Sequence, residues 1–200
     1  TREAPLVLID EGLAELPEEL RRAHVHFVHG DPSRQAVLEQ ANFRKCKHVL
    51  IQADASDLEH SDSKNLAVAL TVERLCPEVC TIVHCMDPER AVFFERANCD
   101  SVICTDALSS QLVVQELQDP GVNAVLAELT SNAEGKQFYI VDIPPGMQTA
   151  GALRTACSKQ KAVLVGLRRA AKNVLLPEEN DPVEAGDRAI LIAPERPSAL

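Results

Sequence analysis

The sequence predicts a helix-covered parallel α/β sheet followed by a smaller α+β unit, and three observations carry that prediction. Short apolar runs rich in Val and Ile recur through the first half of the chain. The stretches between them repeat apolar residues at three and four positions, as at Leu66, Ala69 and Leu70, which is the period of a helix. From Gln137 onward the pattern becomes short strands separated by turn residues.

The strand-like runs fall at 6–9, 25–28, 48–53, 79–85 and 101–104, with helical patterns at 17–22, 33–42, 59–75 and 88–97 between them. Strand and helix alternating in this way build a parallel sheet covered on both faces. After Cys104 the rhythm changes. Leu108, Leu112 and Leu117 form one helical stripe, Asp119-Pro120-Gly121 breaks it, and Val122, Val125, Leu126 and Leu129 form a second. These helices have little sheet left to cover, so their stripes are expected to meet a partner subunit, with a self-folded helical hairpin as the alternative. The last part reads as strands at 138–142, 162–167, 173–176 and 188–192 with a helix at 150–157. Three segments follow: 1–106 for the sheet, 107–135 for the helical crossover and 136–200 for the small unit.

Composition excludes several functions. Twenty basic against thirty acidic side chains give a net charge of −10, which repels nucleic acid and anionic lipid. No apolar run approaches the roughly 18 residues that suggest a membrane span, so the chain reads as cytosolic. Seven cysteines without C-x-x-C spacing read as reduced thiols and not as a zinc site. Cys80 and Cys85 lie an odd number of residues apart and should face opposite sides of a strand. His24 and His26 share a strand face in this reading, but isolated histidines near strand ends are more often hydrogen-bonded than metal-bound.

The first run, Pro5-Leu6-Val7-Leu8-Ile9-Asp10, ends in an acid as the second strand of a Rossmann-like dinucleotide-binding sheet does. No strand and glycine-rich loop precede it here, and both are expected upstream in the natural polypeptide, because a sheet of order 3-2-1-4-5-6 without its first strand has unpaired edges in its middle. Asp10 is the candidate ribose-binding acid, with Glu11 as its neighbouring alternative and a solvated turn as the competing role. Ala53-Asp54-Ala55-Ser56 closes the central strand: small residues admit an adenine ring, and Asp54 or Ser56 would bond its edge. The same residues also suit a capping turn ahead of the long helix, together with Asp57 and Ser61. Arg168, Arg169 and Lys172 form either a solvated face or an anion site.

Taken in order, His29-Gly30-Asp31-Pro32-Ser33, the stretch DLEHSDSKNLAVALTVER at 57–74, Asp100-Ser101-Val102-Ile103 and LTSNAEGKQFY at 129–139 resemble RCK domains, the regulators of potassium conductance. Pro144-Pro145-Gly146, Leu167-Arg168-Arg169 and Glu184-Ala185-Gly186-Asp187 are similar to the C-terminal subdomain of that family, so the resemblance covers nearly the whole chain. It implies a TrkA-N plus TrkA-C type domain on the cytoplasmic face of a membrane, paired through its crossed helices into a homodimer. Four dimers would make an octameric ring controlling a potassium channel pore, in the same polypeptide or as a membrane partner. It also implies a crevice taking NAD(H) or another adenine nucleotide, touched by Gly30 and Asp31 besides the residues above. Asp31 is similar to an acid that serves ligand or calcium contacts in the family, which makes it the one metal candidate, and the competing role is an N-cap with Pro32 at the first helical position. Calcium is not expected at the end of the fourth strand, where His84 and Met86 stand and a thioether is a poor ligand for a hard cation. Three alternatives remain open: the regulatory subunit of a Trk- or Ktr-type transporter, an NAD-dependent oxidoreductase, and a structural dimerising domain. The oxidoreductase would need a proton-transfer group over the nicotinamide, and no Tyr-x-x-x-Lys pair exists.

Overall fold

The computed structural model describes residues 5–54, 57–131, 135–170 and 172–197. They fall into two compact units, Thr1–Gln111 and Leu112–Leu200.

In the first unit the elements run β1 (Val7–Asp10), α1 (Glu18–Arg22), β2 (His26–His29), α2 (Gln35–Gln40), β3 (His48–Ile51), α3 (Leu58–Leu75), β4 (Cys80–Cys85), α4 (Ala91–Arg96), β5 (Ser101–Cys104) and the start of α5 (Thr105–Gln118). β1 lies parallel to β2, with Val7 opposite His26 and Asp10 opposite His29. A second parallel sheet has the order β3-β4-β5, with His48 opposite Cys80 and Ile82 opposite Ser101. Among the described residues no ladder joins the two sheets, so β1 and β3 each keep an open edge where the order 3-2-1-4-5-6 puts its central strand. Both sheets nonetheless share one core. Ile9 of β1 packs against the cluster that holds Ile51, Val68, Ala69, Val72, Val83 and Phe94.

Local chemistry explains the main elements of this unit. The carboxylate of Asp57 caps α3 by accepting from the His60 amide, and Val68, Ala69 and Val72 bury the apolar face of that helix. β4 alternates strictly: Thr81, Val83 and Cys85 are buried and Cys80, Ile82 and His84 are half-buried, so the two cysteines face opposite sides as their spacing requires. Two expectations need correction. His24 has φ 56 and precedes β2, so it does not share a strand face with His26. α2 begins at Gln35 behind Arg34, so Asp31 and Pro32 do not open a helix.

The second unit contains α6 (Val122–Thr130), β6 (Gln137–Asp142), α7 (Ala150–Lys159), β7 (Val163–Arg169), β8 (Lys172–Leu175) and β9 (Arg188–Ala193). Its sheet is antiparallel throughout, in the order β6-β9-β7-β8. The Thr149 hydroxyl caps α7 by accepting from the Ala152 amide, and the helix sets Leu153 and Cys157 against Leu164, Leu167, Ala189 and Leu191. A Cβ on Gly166 would lie 2.5 Å from the Val174 carbonyl oxygen, so β8 approaches β7 this closely only because residue 166 has no side chain. At the outer edge of the sheet the Ile140 carbonyl accepts from Arg188 at 3.1 Å and from Arg196 at 3.2 Å.

No residue of α5 or α6 is buried. Leu108, Leu117 and Val125 are exposed and Leu112, Val122, Leu126 and Leu129 are half-buried, while Val113 and Val114 widen the apolar surface beyond the expected stripe. The break between the helices is held by Glu116, whose carboxylate accepts from the Gly121 and Asn123 amides at 2.8 Å each. Those two bonds depress its pKa. Gly121 takes φ +105, a conformation that favours glycine.

Candidate functional site

Parallel strands deliver their carboxyl ends to one edge, and three candidate acids lie at or just past those ends. Asp10 is the last residue of β1. Its Oδ1 accepts from the amides of Gly12 at 2.7 Å and Leu13 at 2.8 Å, which folds the chain back on itself after the strand. The Gly30 amide donates to the Asp10 carbonyl at 3.0 Å and ties the end of β2 to that of β1. Gly30 is sterically required: at φ +153 an added Cβ would meet Val37 Cγ2 at 2.9 Å. Asp31 Oδ1 accepts from the Ser33 amide at 2.8 Å and the Ser33 hydroxyl at 2.7 Å. The Ser33 hydroxyl, and then its amide, hold the Asp31 carboxyl below its usual pKa. Glu11 is exposed, Ala53 half-buried and Asp54 exposed, and Ser56 lies outside the described residues.

Helix α3 clamps the ends of β3 and β4 through three polar residues on its buried face. Ser61 accepts from the Asp54 amide at 2.8 Å, and Asn65 donates to the Gln52 carbonyl at 3.2 Å. Asp62, only 3% exposed, accepts from the amides of Met86 at 3.0 Å and Asp87 at 2.9 Å. A carboxylate buried this deeply is tolerable because backbone N–H groups solvate it. Burial, followed by the Asp62 charge, pushes the neighbouring Cys85 thiol up to about 12, so it stays protonated. Of these three residues the sequence marks only Ser61, as part of the capping turn ahead of the helix. The signal was present, because Ser61, Asn65, Val68, Ala69 and Val72 follow one helical stripe whose first positions are polar.

Lys64 is a cation on the same helix. Its ammonium lies 3.0 Å from Asp57 Oδ2. Lys64 and then His60 draw the Asp57 carboxyl down to about 2. Asp57 in turn raises the Lys64 pKa, helped by the more distant charges of Glu11 and Asp54. His84, at the end of β4, is bonded on both ring nitrogens: Nδ1 is 2.7 Å from Gln52 Nε2 and Nε2 is 3.0 Å from Thr105 Oγ1. Among the described residues no group of three His, Cys, Asp or Glu side chains is arranged to hold a metal, and Asp31 stands with Ser33 and Arg34 as its partners.

In the second unit Arg169 is committed internally. It bonds Asp187 at 2.8 Å, Glu184 at 2.7 Å and the Pro182 carbonyl at 3.0 Å, so it is not open to an anion, and Arg168 bonds Asn173 at 3.0 Å. A hollow of about 200 Å³ lies between the loops 143–147 and 183–187 of this unit, lined by Pro144, Met147 and Val183 among others.

A parallel sheet with acids at its carboxyl edge and a helix clamped over the strand ends defines a Rossmann-like domain. The TrkA-N domain matches residues 2–105, and the chain belongs to that family. The calcium-gated potassium channel TvoK of Thermoplasma volcanium is 24% identical over 200 residues, which cover 95% of this chain and 55% of that one. The chain therefore spans about half the length of this relative. The human SLO3 gating ring superposes with a TM-score of 0.74 at 15% identity, covering 94% of this chain and 40% of that one. The fold is thus shared across both units, and the resemblance carried by the sequence motifs is borne out. Among the described residues no helix is long and apolar enough to cross a membrane.

Proposed function

We propose that this chain is the regulatory, non-catalytic domain of a potassium-conducting membrane protein, lying on the cytoplasmic face of the membrane. In this reading an adenine nucleotide, NAD(H) or ADP among them, binds at the carboxyl ends of β1, β2 and β3. The observation that carries it is the TrkA-N match over 2–105 combined with the placement of Asp10, Asp31 and Asp54 at or just past three successive strand ends. The Asp10 carboxylate uses Oδ1 to fold the following turn, which leaves Oδ2 to accept from a ribose hydroxyl. Gly30, Glu11, Ala53 and Ser56 complete the proposed contacts. Lys64 supplies a positive charge that offsets the repulsion between these acids and a polyphosphate.

The interruption between β1 and β3 shapes the proposal. A strand, glycine loop and helix inserted there would close the sheet and present backbone N–H donors to the phosphates. Pairing of two copies through α5 and α6, at Leu108, Leu112, Leu117, Val122, Val125, Leu126 and Leu129, would then convert occupancy into a rearrangement that a pore can feel. The division into 1–106, 107–135 and 136–200 expresses the same reading: sensor, crossover and small lobe.

The test is calorimetric titration with ADP and 2′-deoxy-ADP of this chain, of the chain carrying a strand–glycine-loop–helix unit ahead of Thr1, and of the Asp10→Ala variant of the extended protein. The extended protein should bind ADP more tightly than the 200-residue chain does. Asp10→Ala should weaken ADP by about tenfold, the worth of one lost hydrogen bond to a charged group, and 2′-deoxy-ADP by less. Equal losses would remove Asp10 from the ribose role, and no binding by the extended protein would leave a structural dimerising domain.

A further inference from the structure

The hydrogen bonds of His84 join two parts of the first unit: the end of β3 and the first turn of α5. Gln52 directly follows β3 and precedes Ala53 and Asp54, which the reading above places in the crevice. Its amide nitrogen is 2.7 Å from His84 Nδ1, and an amide nitrogen can only donate. Nδ1 must then accept, which leaves the proton of a neutral imidazole on Nε2, 3.0 Å from the hydroxyl oxygen of Thr105, the first residue of α5. On the other side Asn65 of α3 donates to the Gln52 carbonyl, so the relay starts from a backbone already clamped to the crevice helix.

We propose that His84 is a positioning residue that couples the crevice to α5, so that a ligand drawing on the Gln52 amide shifts the first turn of that helix. The chemistry is restrictive. An imidazole in one tautomer has one donor and one acceptor, and losing the Gln52 bond leaves Nδ1 without a partner unless the ring turns, which takes the Nε2 proton from Thr105. The neighbouring Met86 and Asp87 amides are fixed on Asp62, so the strand end itself is held and the side chain is the part free to respond.

This inference rests on the crevice reading, and the experiment separates the two. Gln52 and Thr105 are both exposed, so Gln52→Leu and Thr105→Val should fold without difficulty. Amide hydrogen exchange of the first turns of α5 is measured in the full chain for each single variant and the double, in the parent and in a His84→Leu background, with His84→Gln as a second form if leucine is poorly tolerated. Each single change should lower protection by about fivefold to tenfold, the worth of one hydrogen bond. The double should lose no more than the larger single, and the coupling should vanish in the His84 background. Additive losses with His84 intact overturn the proposal, as does an imidazole ¹⁵N spectrum placing the His84 proton on Nδ1. With ADP as probe on the extended protein, binding should alter α5 exchange, and His84→Leu should abolish that response while ADP affinity changes less than threefold, well under one hydrogen bond. A response that survives His84→Leu overturns the coupling. If ADP does not bind at all, the failure belongs to the crevice reading, and the ligand-free cycle alone then decides the relay.

Discussion

In the first unit Leu6, beside β1, and Leu50 of β3 are each 63% exposed, and β1, β2 and β5 contain no fully buried residue. In the second unit Leu153 of α7 and Ala189 and Leu191 of β9 have no exposed surface at all. The second sheet is antiparallel, with β6 at the start of the unit paired to β9 at its end and one helix packed on one face, so it completes its core from a single stretch of chain. The first is parallel, and its two ladders stop on either side of the position its topology reserves for a central strand. The contrast teaches that where a ladder is interrupted, the strand ends must be held in register by something other than the sheet. Here that role falls to the polar face of α3.

The largest effect expected from this contrast is a separation of stabilities. Leu191→Ala should cost about 3 kcal/mol and Val83→Ala about 2 kcal/mol, each felt as lost packing around a fully buried side chain. Urea denaturation followed by hydrogen exchange should show Leu191→Ala weakening 137–193 alone and Val83→Ala weakening the first unit alone. Peptides of both units shifting together would break the distinction.

A second effect sharpens it within the small unit. Arg169→Leu leaves the buried Asp187 carboxylate to the Glu184 amide without its guanidinium partner and should destabilise the second unit. Arg169, before all other influences, lowers the Asp187 pKa beneath its usual 3.8. Because the folded pKa is the lower one, this stabilisation is present above pH 3.8 and is lost as the pH falls through the folded value. The wild-type unit should therefore weaken steeply in that acid range, and the Arg169→Leu variant should show a flatter dependence there. Stability measured by urea titration from pH 5 to pH 2.5 checks both the size and the slope.

Smallest is the loss of a helix cap. Thr149→Ala should cost about 1 kcal/mol in the second unit, and Asp57→Ala should weaken the first. The Asp57 share should disappear between the usual carboxyl pKa of 3.8 and about 2, because Lys64 and His60 favour its charged form, whereas the uncharged threonine cap should be indifferent to pH. Thermal melts of the two variants at pH 7 and pH 3 would show whether the two caps differ in this way.

How much of this was legible beforehand depends on what each residue had to reveal. The runs at 48–53 and 79–85 gave β3 and β4 almost to the residue, because alternation in a strand and Val-rich composition are local signals. The break at Asp119-Pro120-Gly121 was equally plain, since proline cannot continue a helix. The capping role that competed for Asp31 fails because its carboxylate takes Ser33 two residues on, a turn that competes with capping and looks the same in sequence. Arg169 was read with Arg168 and Lys172 as a solvated face or an anion site, and its partner Asp187 is distant in the chain, beyond the reach of charge patterning. The clamps of α3 were visible only as polar residues sitting where a stripe called for apolar ones. That kind of mismatch gains meaning once the strand ends facing it are known.

The two guanidinium groups on the Ile140 carbonyl carry a consequence for how this protein can join others. A sheet grows by offering bare carbonyl and amide groups along its rim, and this is the route by which strands are exchanged between copies or stacked into fibres. On the β6 rim, Arg188 and Arg196 occupy the acceptor that an incoming strand would need, and they place positive charge beside its path. A newcomer would have to displace both before bonding that carbonyl. Edge-to-edge growth is thereby disfavoured at this point of the β6 rim, where two guanidinium groups already hold the backbone oxygen.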